Sequence, residues 1–216
     1  MADLQALVYL VGFNPGPIDG IFGSGTERAV SRFQRVWGIP GEGAVNQQTL
    51  DKMNELKPLA EQAYDYGWNG ADGMEQWRSL ITEVFTTWGL HEEKCGPSGC
   101  IGPQIENAMT IGYCESRGNA TVVNYLSGTT GIFQHRPSFW ADRVGQVRLA
   151  FPDFPADATP YNPYHNVFVA AWLVHQSRET LIGNLSLTGP WDDGPQPWGH
   201  WDGSSRDCAN PPLVSP

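Results

Sequence analysis

Glu115 is the residue whose position best suits acid catalysis. It lies in the segment GYCESRGNA, and apolar residues at helical spacing from Ile105 to Gly112 predict a helix that carries Glu115 to its end, just before the turn at 117–119. Because that end is the negative pole of the helix dipole and the neighbours are partly apolar, the protonated form of the carboxyl is favoured. A carboxylic acid that stays protonated near neutrality can give a proton to a leaving oxygen, as cleavage of a glycosidic bond requires.

A second carboxylate would decide how such a reaction is completed. An inverting glycosidase holds a base about 6.5–9.5 Å from the acid, and a retaining one holds a nucleophile at about 5–5.5 Å. Between Glu115 and Gln134 the sequence has no Asp or Glu, and the polar residues that it offers there include Asn119, Asn124, Ser127, Thr129 and Thr130. Carboxylates that come later and could fold back are Asp142, Asp153 and Asp157. Two possibilities therefore remain. Either a carboxylate from a later part of the chain pairs with Glu115, or Glu115 acts alone, first as acid and then as base.

The first 57 residues predict a small unit of three helices. Its clearest segment is TERAVSRFQRVWG, where four apolar residues recur at helical spacing: Ala29, Val30, Phe33 and Trp37. Thr26 is the expected N-cap of this helix and Gly38 its expected stop. The preceding NPGPIDGIFGSG requires turns, and its Ile18 and Phe22 can fill a small core. QQTLDKMNEL predicts a further short helix.

A linker and a second domain follow this unit. Residues 58–73 mix Pro, Gly and aromatic residues without a helical period, which predicts a linker whose aromatic residues pack. Residues 74–216 form the predicted second domain, which opens with an amphipathic helix whose apolar face is Trp77, Leu80, Ile81, Val84, Phe85 and Trp88. A chain of 216 residues accommodates two such units. The predicted fold class is mainly α.

All four cysteines lie in the second half of the chain. Cys95 and Cys100 flank a Gly/Pro loop that is flexible enough to close on itself, which leaves Cys114 to pair with Cys208 and tether the tail. A zinc site is the alternative, but the sequence has neither a CxxC pair nor a matched His spacing. We expect two disulfides, and we expect neither a metal nor a cofactor.

Composition limits the possible partners. The net charge of −10 argues against nucleic-acid binding, which depends on clustered Lys and Arg. Nine Trp in a chain with 12% aromatic residues suggest aromatic surfaces as well as cores, and such surfaces often stack on sugar rings.

The sequence contains no apolar run of about 20 residues, so no membrane span is predicted. No classical signal peptide is recognisable, which suits a mature form or another export route. We expect a monomer.

The N-terminal segments LQALVYLVGF and IDGIFGSGTERAVSRFQRVWGIPGEGAVNQQTL resemble the peptidoglycan-binding domain of the three-helix type, over about residues 3–54. The resemblance assigns Asp19, Phe22 and Phe33 to this wall-binding domain. Most of the matching positions are structural, because glycines set backbone angles and apolar residues fill the core. A small helical module that docks a protein partner is the alternative interpretation.

Three further segments, in order, resemble the lysozyme-like superfamily, in particular the lytic transglycosylases and resuscitation-promoting-factor-like enzymes. GYCESRGNA resembles the catalytic segment, which makes Glu115 the acid and Ser116 its polar neighbour. SGTTGIFQH places Gln134 on the cleft wall, and YNPYHNVFVAAWLVHQ places Asn162 at a helix cap with Asn166 behind the cleft. Together the three segments imply a lysozyme-like domain over about residues 74–208.

The remaining candidate substrate contacts each have a structural alternative. Gln134 and Asn166 suit substrate contact and structural hydrogen bonding equally well. Tyr161 either reaches the cleft or covers the start of the following helix. Trp198, in the Trp-rich tail, either stacks on a sugar or forms part of a hydrophobic lid.

The two resemblances together imply an enzyme of the cell wall. The expected reaction is cleavage of the bond between N-acetylmuramic acid and N-acetylglucosamine in peptidoglycan glycan strands, by Glu115 alone, with a 1,6-anhydro product as in lytic transglycosylases. The alternatives are a hydrolytic muramidase such as a lysozyme or endolysin, a non-catalytic wall-binding or phage-structural protein, and a chitinase-like glycosidase. An extracytoplasmic or cell-wall location is expected, consistent with a phage lysin.

Overall fold

The computed structural model describes residues 1–183 together with Trp198 and Trp201. This part of the chain is mainly α, as predicted. Its helices are α1 (Ala2–Leu10), α2 (Ser24–Trp37), α3 (Gln47–Asp65), α4 (Arg78–Thr87), α5 (Ile105–Ser116), α6 (Pro137–Ala150) and α7 (Pro163–Leu181). A 3₁₀ turn, Glu75–Trp77, precedes α4, and a small antiparallel sheet pairs β1 (Lys94–Gly96) with β2 (Gly99–Ile101).

Helices α1, α2 and α3 pack around one apolar core that includes Val8, Phe33 and Met53. The predicted stop of α2 is confirmed, because Gly38 follows the helix with a left-handed backbone (φ 63°). The predicted N-cap is wrong: α2 begins at Ser24, and Thr26 is a buried residue of its first turn. The Thr26 hydroxyl instead accepts a hydrogen bond from the Gln5 amide of α1 at 3.2 Å, so it serves packing between helices.

Helix α3 is longer than the sequence pattern predicted. It starts at the Asn46 cap, whose side chain accepts the Thr49 N–H, and it continues through Pro58 to Asp65, into the predicted linker. Pro58 removes one helical N–H, a loss that usually ends or bends a helix. Here the buried Ala60 and Ala63 keep one face of the helix against the cores of the protein. The segment without helix is therefore 66–74.

The second unit is built around α7, which packs against α4 and α6 and has 12 buried residues among its 19. As predicted, Asn162 caps this helix by accepting the His165 N–H at 3.1 Å, and Pro163 occupies its first turn. The predicted amphipathic helix near Trp77 is present as the 3₁₀ turn followed by α4. Trp198 and Trp201 complete the same core.

The two units are packed directly against each other. Val123 and Tyr161 of the second unit lie in the core of α1–α3. The Val123 N–H donates to the Gly12 carbonyl at 3.1 Å. Gly12 has a φ of 99°, and a Cβ there would lie 2.2 Å from the Thr121 carbonyl oxygen, so the close approach requires glycine.

The cysteines agree with the predicted pairing as far as the structure describes them. Cys95 and Cys100 form a disulfide across β1 and β2. Cys114 on α5 is also disulfide-bonded, and Cys208, its predicted partner, lies outside the described residues. Within the described residues, none of the helices has both the length and the apolar character needed to cross a membrane.

Candidate functional site

Glu115 lies in the last turn of α5, as the sequence predicts. The helix ends at Arg117, which adopts a left-handed backbone (φ 56°). The buried Ser116 hydroxyl donates to the Gly112 carbonyl at 3.1 Å and accepts the Gly118 N–H at 3.0 Å. Ser116 therefore fixes the turn that presents Glu115, and its hydrogen bonds are directed into the protein.

The turn after Glu115 is held against the chain that precedes α4. The Trp77 indole donates to the Gly118 carbonyl at 2.7 Å, and the Gly73 N–H donates to the Arg117 carbonyl at 2.6 Å. A Cβ at Gly118 would lie 2.3 Å from the Gly73 carbonyl oxygen. This close backbone contact keeps residues 70–73 beside the catalytic candidate.

Glu115 opens onto a cleft of about 690 Å³. Three parts of the chain line it: the end of α1 and the loop after it, residues 70–72, and the end of α5 with the following loop. Their cleft residues include Tyr9, Gly12, Asn14, Asp72, Glu115 and Asn119. The cleft therefore lies between the first unit and the second, with the half-buried Glu115 in its wall.

Asp72 is a second carboxylate in the Glu115 cleft. It is exposed, and its charge adds to burial, the larger effect, in raising the pKa of the Tyr9 hydroxyl. That hydroxyl donates to the Gly70 carbonyl at 3.0 Å, which ties this segment to α1. Asp72 was not predicted from the sequence, because the carboxylates expected to fold back towards Glu115 all follow it in the chain. The glycines of NGADG, which allow the chain to bend there, were the available signal.

The three later aspartates that could have folded back are not among the residues that line the cleft. These are Asp142, Asp153 and Asp157.

Gln134, a predicted cleft-wall residue, has its amide engaged within its own loop. Its Nε2 donates to the Gly131 carbonyl at 2.9 Å and the Val122 carbonyl at 3.1 Å, while its Oε1 accepts from the Thr129 hydroxyl at 2.9 Å. Gln134 also has a positive φ of 48°, which is uncommon outside glycine. The side chain stabilises the loop that approaches the cleft at Val122.

Asn166 is fully buried and links this loop to α7. Its Nδ2 donates to the Thr130 and Pro160 carbonyls at 3.1 and 3.0 Å, and its Oδ1 accepts the Phe133 N–H at 2.9 Å. A Cβ at Gly131 would lie 2.3 Å from Asn166 Nδ2, which explains the glycine of the GIFQ segment. Of the two alternatives for Asn166, the structure favours structural hydrogen bonding.

Asn162 is likewise buried. Besides capping α7, its Nδ2 donates to the Gln62 Oε1 of α3 at 2.9 Å. Its contacts therefore hold the two units together.

Trp198 is part of the core. Its side chain is 2% exposed, its indole N–H donates to Gln104 Oε1 at 2.9 Å, and its ring stacks on Phe85 with centroids 6.1 Å apart. It has no ring face open for a sugar. Tyr161 is also buried, and it lines a different cavity, which does not include Glu115.

The predicted wall-binding residues have different positions. Phe33 lies in the core of the first unit, while Phe22 is 38% exposed. Asp19 is exposed, and its Oδ1 accepts hydrogen bonds from the Gln5 amide at 3.0 Å and the Ile21 N–H at 2.9 Å. These bonds, the first of them the stronger influence, lower the pKa of Asp19. Phe33 therefore supports the domain from inside, and Asp19 and Phe22 are at its surface.

Comparison with known proteins identifies the first unit. Residues 1–53 match the family model of the peptidoglycan binding domain. The chain is also similar to a spore cortex-lytic enzyme of Oceanobacillus iheyensis, with 43% identity over 51 residues. That segment is 24% of this chain and spans 18% of the length of the enzyme. The family match ends before Asp72 and Glu115. The protein therefore carries an N-terminal peptidoglycan-binding domain.

Proposed function

We propose that this protein degrades peptidoglycan by cleaving the glycosidic bond between N-acetylmuramic acid and N-acetylglucosamine, with Glu115 as the general acid. The observation that carries the proposal is the position of Glu115 at a helix end, in a cleft whose other wall is the peptidoglycan-binding domain. The cleft volume of about 690 Å³ is within the range of ligand-binding sites. Glycan bound by the first unit is thereby held at high local concentration near Glu115.

The preferred reaction is that of a lytic transglycosylase. Glu115 donates its proton to the bridging oxygen as the bond from that oxygen to the anomeric carbon breaks. The resulting carboxylate then takes the proton of the 6-hydroxyl of the same muramic acid residue, and the oxygen of that hydroxyl bonds to the anomeric carbon. The product is a 1,6-anhydro sugar, and Glu115 is protonated again. One carboxyl serves both steps.

Hydrolysis is the second candidate, and Asp72 is the observation that favours it. A carboxylate in the same cleft as the acid can activate a water molecule or stabilise the positive charge that develops on the sugar. In this reaction Glu115 gives its proton to the bridging oxygen as the bond from that oxygen to the anomeric carbon breaks. Asp72 takes a proton from the water molecule whose oxygen bonds to the anomeric carbon. The product then has a hydrated reducing end.

Mass spectrometry of digested peptidoglycan tests the proposal and separates the two reactions. Purified cell walls are incubated with the full chain, and the released muropeptides are weighed. We expect anhydro ends, which are lighter than reducing ends by one water. Hydrated ends as the sole product would rule out the transglycosylase reaction. If no muropeptides are released, the protein binds the wall without cleaving it. Chitin, as a parallel substrate, tests whether muramic acid is required.

The same proposal implies action outside the cytoplasm, at the cell wall. A phage lysin and a wall-turnover enzyme both fit that location. The protein carries a net charge of −10, so long-range electrostatic attraction to an anionic wall does not guide it there. Attachment therefore depends on the short-range contacts of the binding domain.

A further inference from the structure

A second cavity, the interdomain cavity, lies between the peptidoglycan-binding domain and the second unit. Its volume is about 630 Å³. Helices α2 and α3 contribute Trp37, Lys52 and Leu56 to its wall, and the second unit contributes Tyr125, Trp140 and Tyr161. It is distinct from the Glu115 cleft, with which it shares no lining residue. An aromatic wall of this kind suits the apolar face of a sugar ring or an acetyl methyl group.

Two buried polar atoms of the lining residues lack hydrogen-bond partners within the described part of the chain. These are the Tyr161 hydroxyl and the Trp37 indole nitrogen. The Tyr161 side chain is only 4% exposed, and burial raises the pKa of its hydroxyl. A buried donor without an acceptor is costly, so most buried donors in proteins are paired. A bound carbonyl or hydroxyl oxygen would supply the missing acceptor.

The charges at the rim favour an anion. Arg35 and Lys52 line the cavity, and Glu55 is the only carboxylate among those lining residues that the structure describes. Lys52 Nζ lies 2.7 Å from Glu55 Oε1 and 4.5 Å from the centroid of the Trp37 ring, so its ammonium group is held beside two other lining residues. This rim has one more cation than carboxylate in a protein whose net charge is −10. Such a local excess of positive charge attracts an acidic ligand group.

We infer that the interdomain cavity is a second binding site, for an N-acetylmuramyl peptide. The ligand combines an acetylated sugar, whose carbonyl can accept from Tyr161 or Trp37, with a stem-peptide carboxylate that the Lys52 and Arg35 charges attract. Because Trp37 and Lys52 fall within the residues that match the peptidoglycan-binding family, the ligand class rests on the proposed function. The site itself does not involve Glu115. It would hold one muramyl unit while the Glu115 cleft holds the scissile bond.

Calorimetric titration of the full-length Glu115→Gln variant with N-acetylmuramyl dipeptide tests this site, with neutral chitotriose as the second probe. In that background we expect both Tyr161→Phe and Lys52→Gln to weaken dipeptide binding by about five-fold or more. Only Tyr161→Phe should weaken chitotriose binding, because that sugar carries no charge. Lys57→Gln is the matched control, since Lys57 is on the same helix and outside the cavity lining.

The readouts separate a binding role from a structural one. Removing an unpaired buried hydroxyl should leave the melting temperature of Tyr161→Phe equal to or above that of its parent, so weaker binding would not reflect unfolding. Dipeptide binding that is undetectable at millimolar concentration, or unchanged in both variants, would overturn the inference. Wild-type cleavage of cell walls is measured separately. Cleavage without dipeptide binding would count against this site alone, and binding without cleavage against the proposed function alone.

Discussion

At the scale of single residues, Glu115 carries the proposed chemistry. Glu115→Gln preserves the size and the helical position of the side chain but removes the transferable proton. We expect peptidoglycan cleavage to fall by at least about 100-fold, since general acid catalysis commonly contributes that much. The rate of muropeptide release measures it, and thermal unfolding followed by circular dichroism should show an unchanged melting temperature.

Glu106→Gln is the control for this substitution. Glu106 lies in the first turn of the same helix, where it forms an ion pair with Arg78 outside the cleft. We expect its activity to stay within about two-fold of the wild type, because an exposed ion pair contributes little to stability. A Glu115→Gln variant as active as Glu106→Gln would remove Glu115 from the reaction.

Asp72 decides between the two reactions. If Glu115 alone serves as acid and base, Asp72→Asn leaves the release of anhydro muropeptides within about three-fold of the wild type. This is the result that we expect. The measurement is the ratio of anhydro to hydrated ends by mass spectrometry, with Asp65→Asn, an exposed residue at the end of α3, as the control. Hydrated products that disappear in Asp72→Asn alone would instead make Asp72 the hydrolytic base.

At the scale of helices and strands, local sequence signals were sufficient where local interactions determine the structure. The Gly38 stop, the Asn162 cap and the end of α5 near Glu115 were predicted because each depends on residues within one or two turns. The Thr26 cap was wrong because a tertiary bond from Gln5 competes for that hydroxyl. The extension of α3 past Pro58 depends on packing against other elements, which sequence periodicity does not record.

Two histidines on α7 make the stability of this element depend on pH. Burial is the main influence that lowers the pKa of both His165 and His175, with Asp157 and Glu179 respectively opposing it. Because both pKa values are lower in the folded state, the unfolded chain binds more protons below about pH 6.5. The free energy of unfolding should therefore decrease as the pH falls through and below that value.

Urea unfolding at pH 7.5 and 5.5 measures this effect. We expect His165→Gln combined with His175→Gln to reduce the loss of stability between the two pH values. His91→Gln, at a side chain that is 40% exposed, should leave it as in the wild type. An equal loss in the double variant and the wild type would show that other groups cause the pH dependence.

At the scale of the whole molecule, the contact between the two units is the feature that controls both cavities. Gly12→Ala places a methyl group 2.2 Å from the Thr121 carbonyl oxygen, whereas Gly16→Ala, at a similarly positive φ, meets no atom within 4 Å. Both variants therefore carry the cost of placing alanine at a positive φ. Only Gly12→Ala also disturbs the contact between the two units. We expect it to lower the free energy of unfolding by about 2 kcal/mol more than Gly16→Ala.

Denaturant unfolding of the two variants measures the difference in their free energies of unfolding. Digestion of cell walls measures the difference in their activities. Gly12→Ala should also lose activity, because Gly12 and Asn14 line the Glu115 cleft. Equal stability and equal activity in the two glycine variants would show that the domain contact is not important for either property.

These long-range contacts are what the sequence could not predict. The position of Glu115 followed from helical periodicity, but its neighbour Asp72 is brought to it by the backbone contact of Gly73 with Arg117 and Gly118. The burial of Trp198 similarly depends on Gln104 and Phe85, which are far away along the chain. The residues next to a tryptophan in a Trp-rich segment are the same whether its ring faces solvent or the core. The local sequence therefore does not predict its burial.

The shared packing at Val123 and Tyr161 has a consequence for protein engineering. A binding domain of a modular protein can be exchanged for another in order to change what the protein binds. Here an exchange of the first domain would also remove Tyr9 and Asn14 from the wall of one cavity and Trp37 from that of the other. It would leave two apolar side chains uncovered, which favours aggregation. A successful chimera must therefore transplant the matching surface along with the domain.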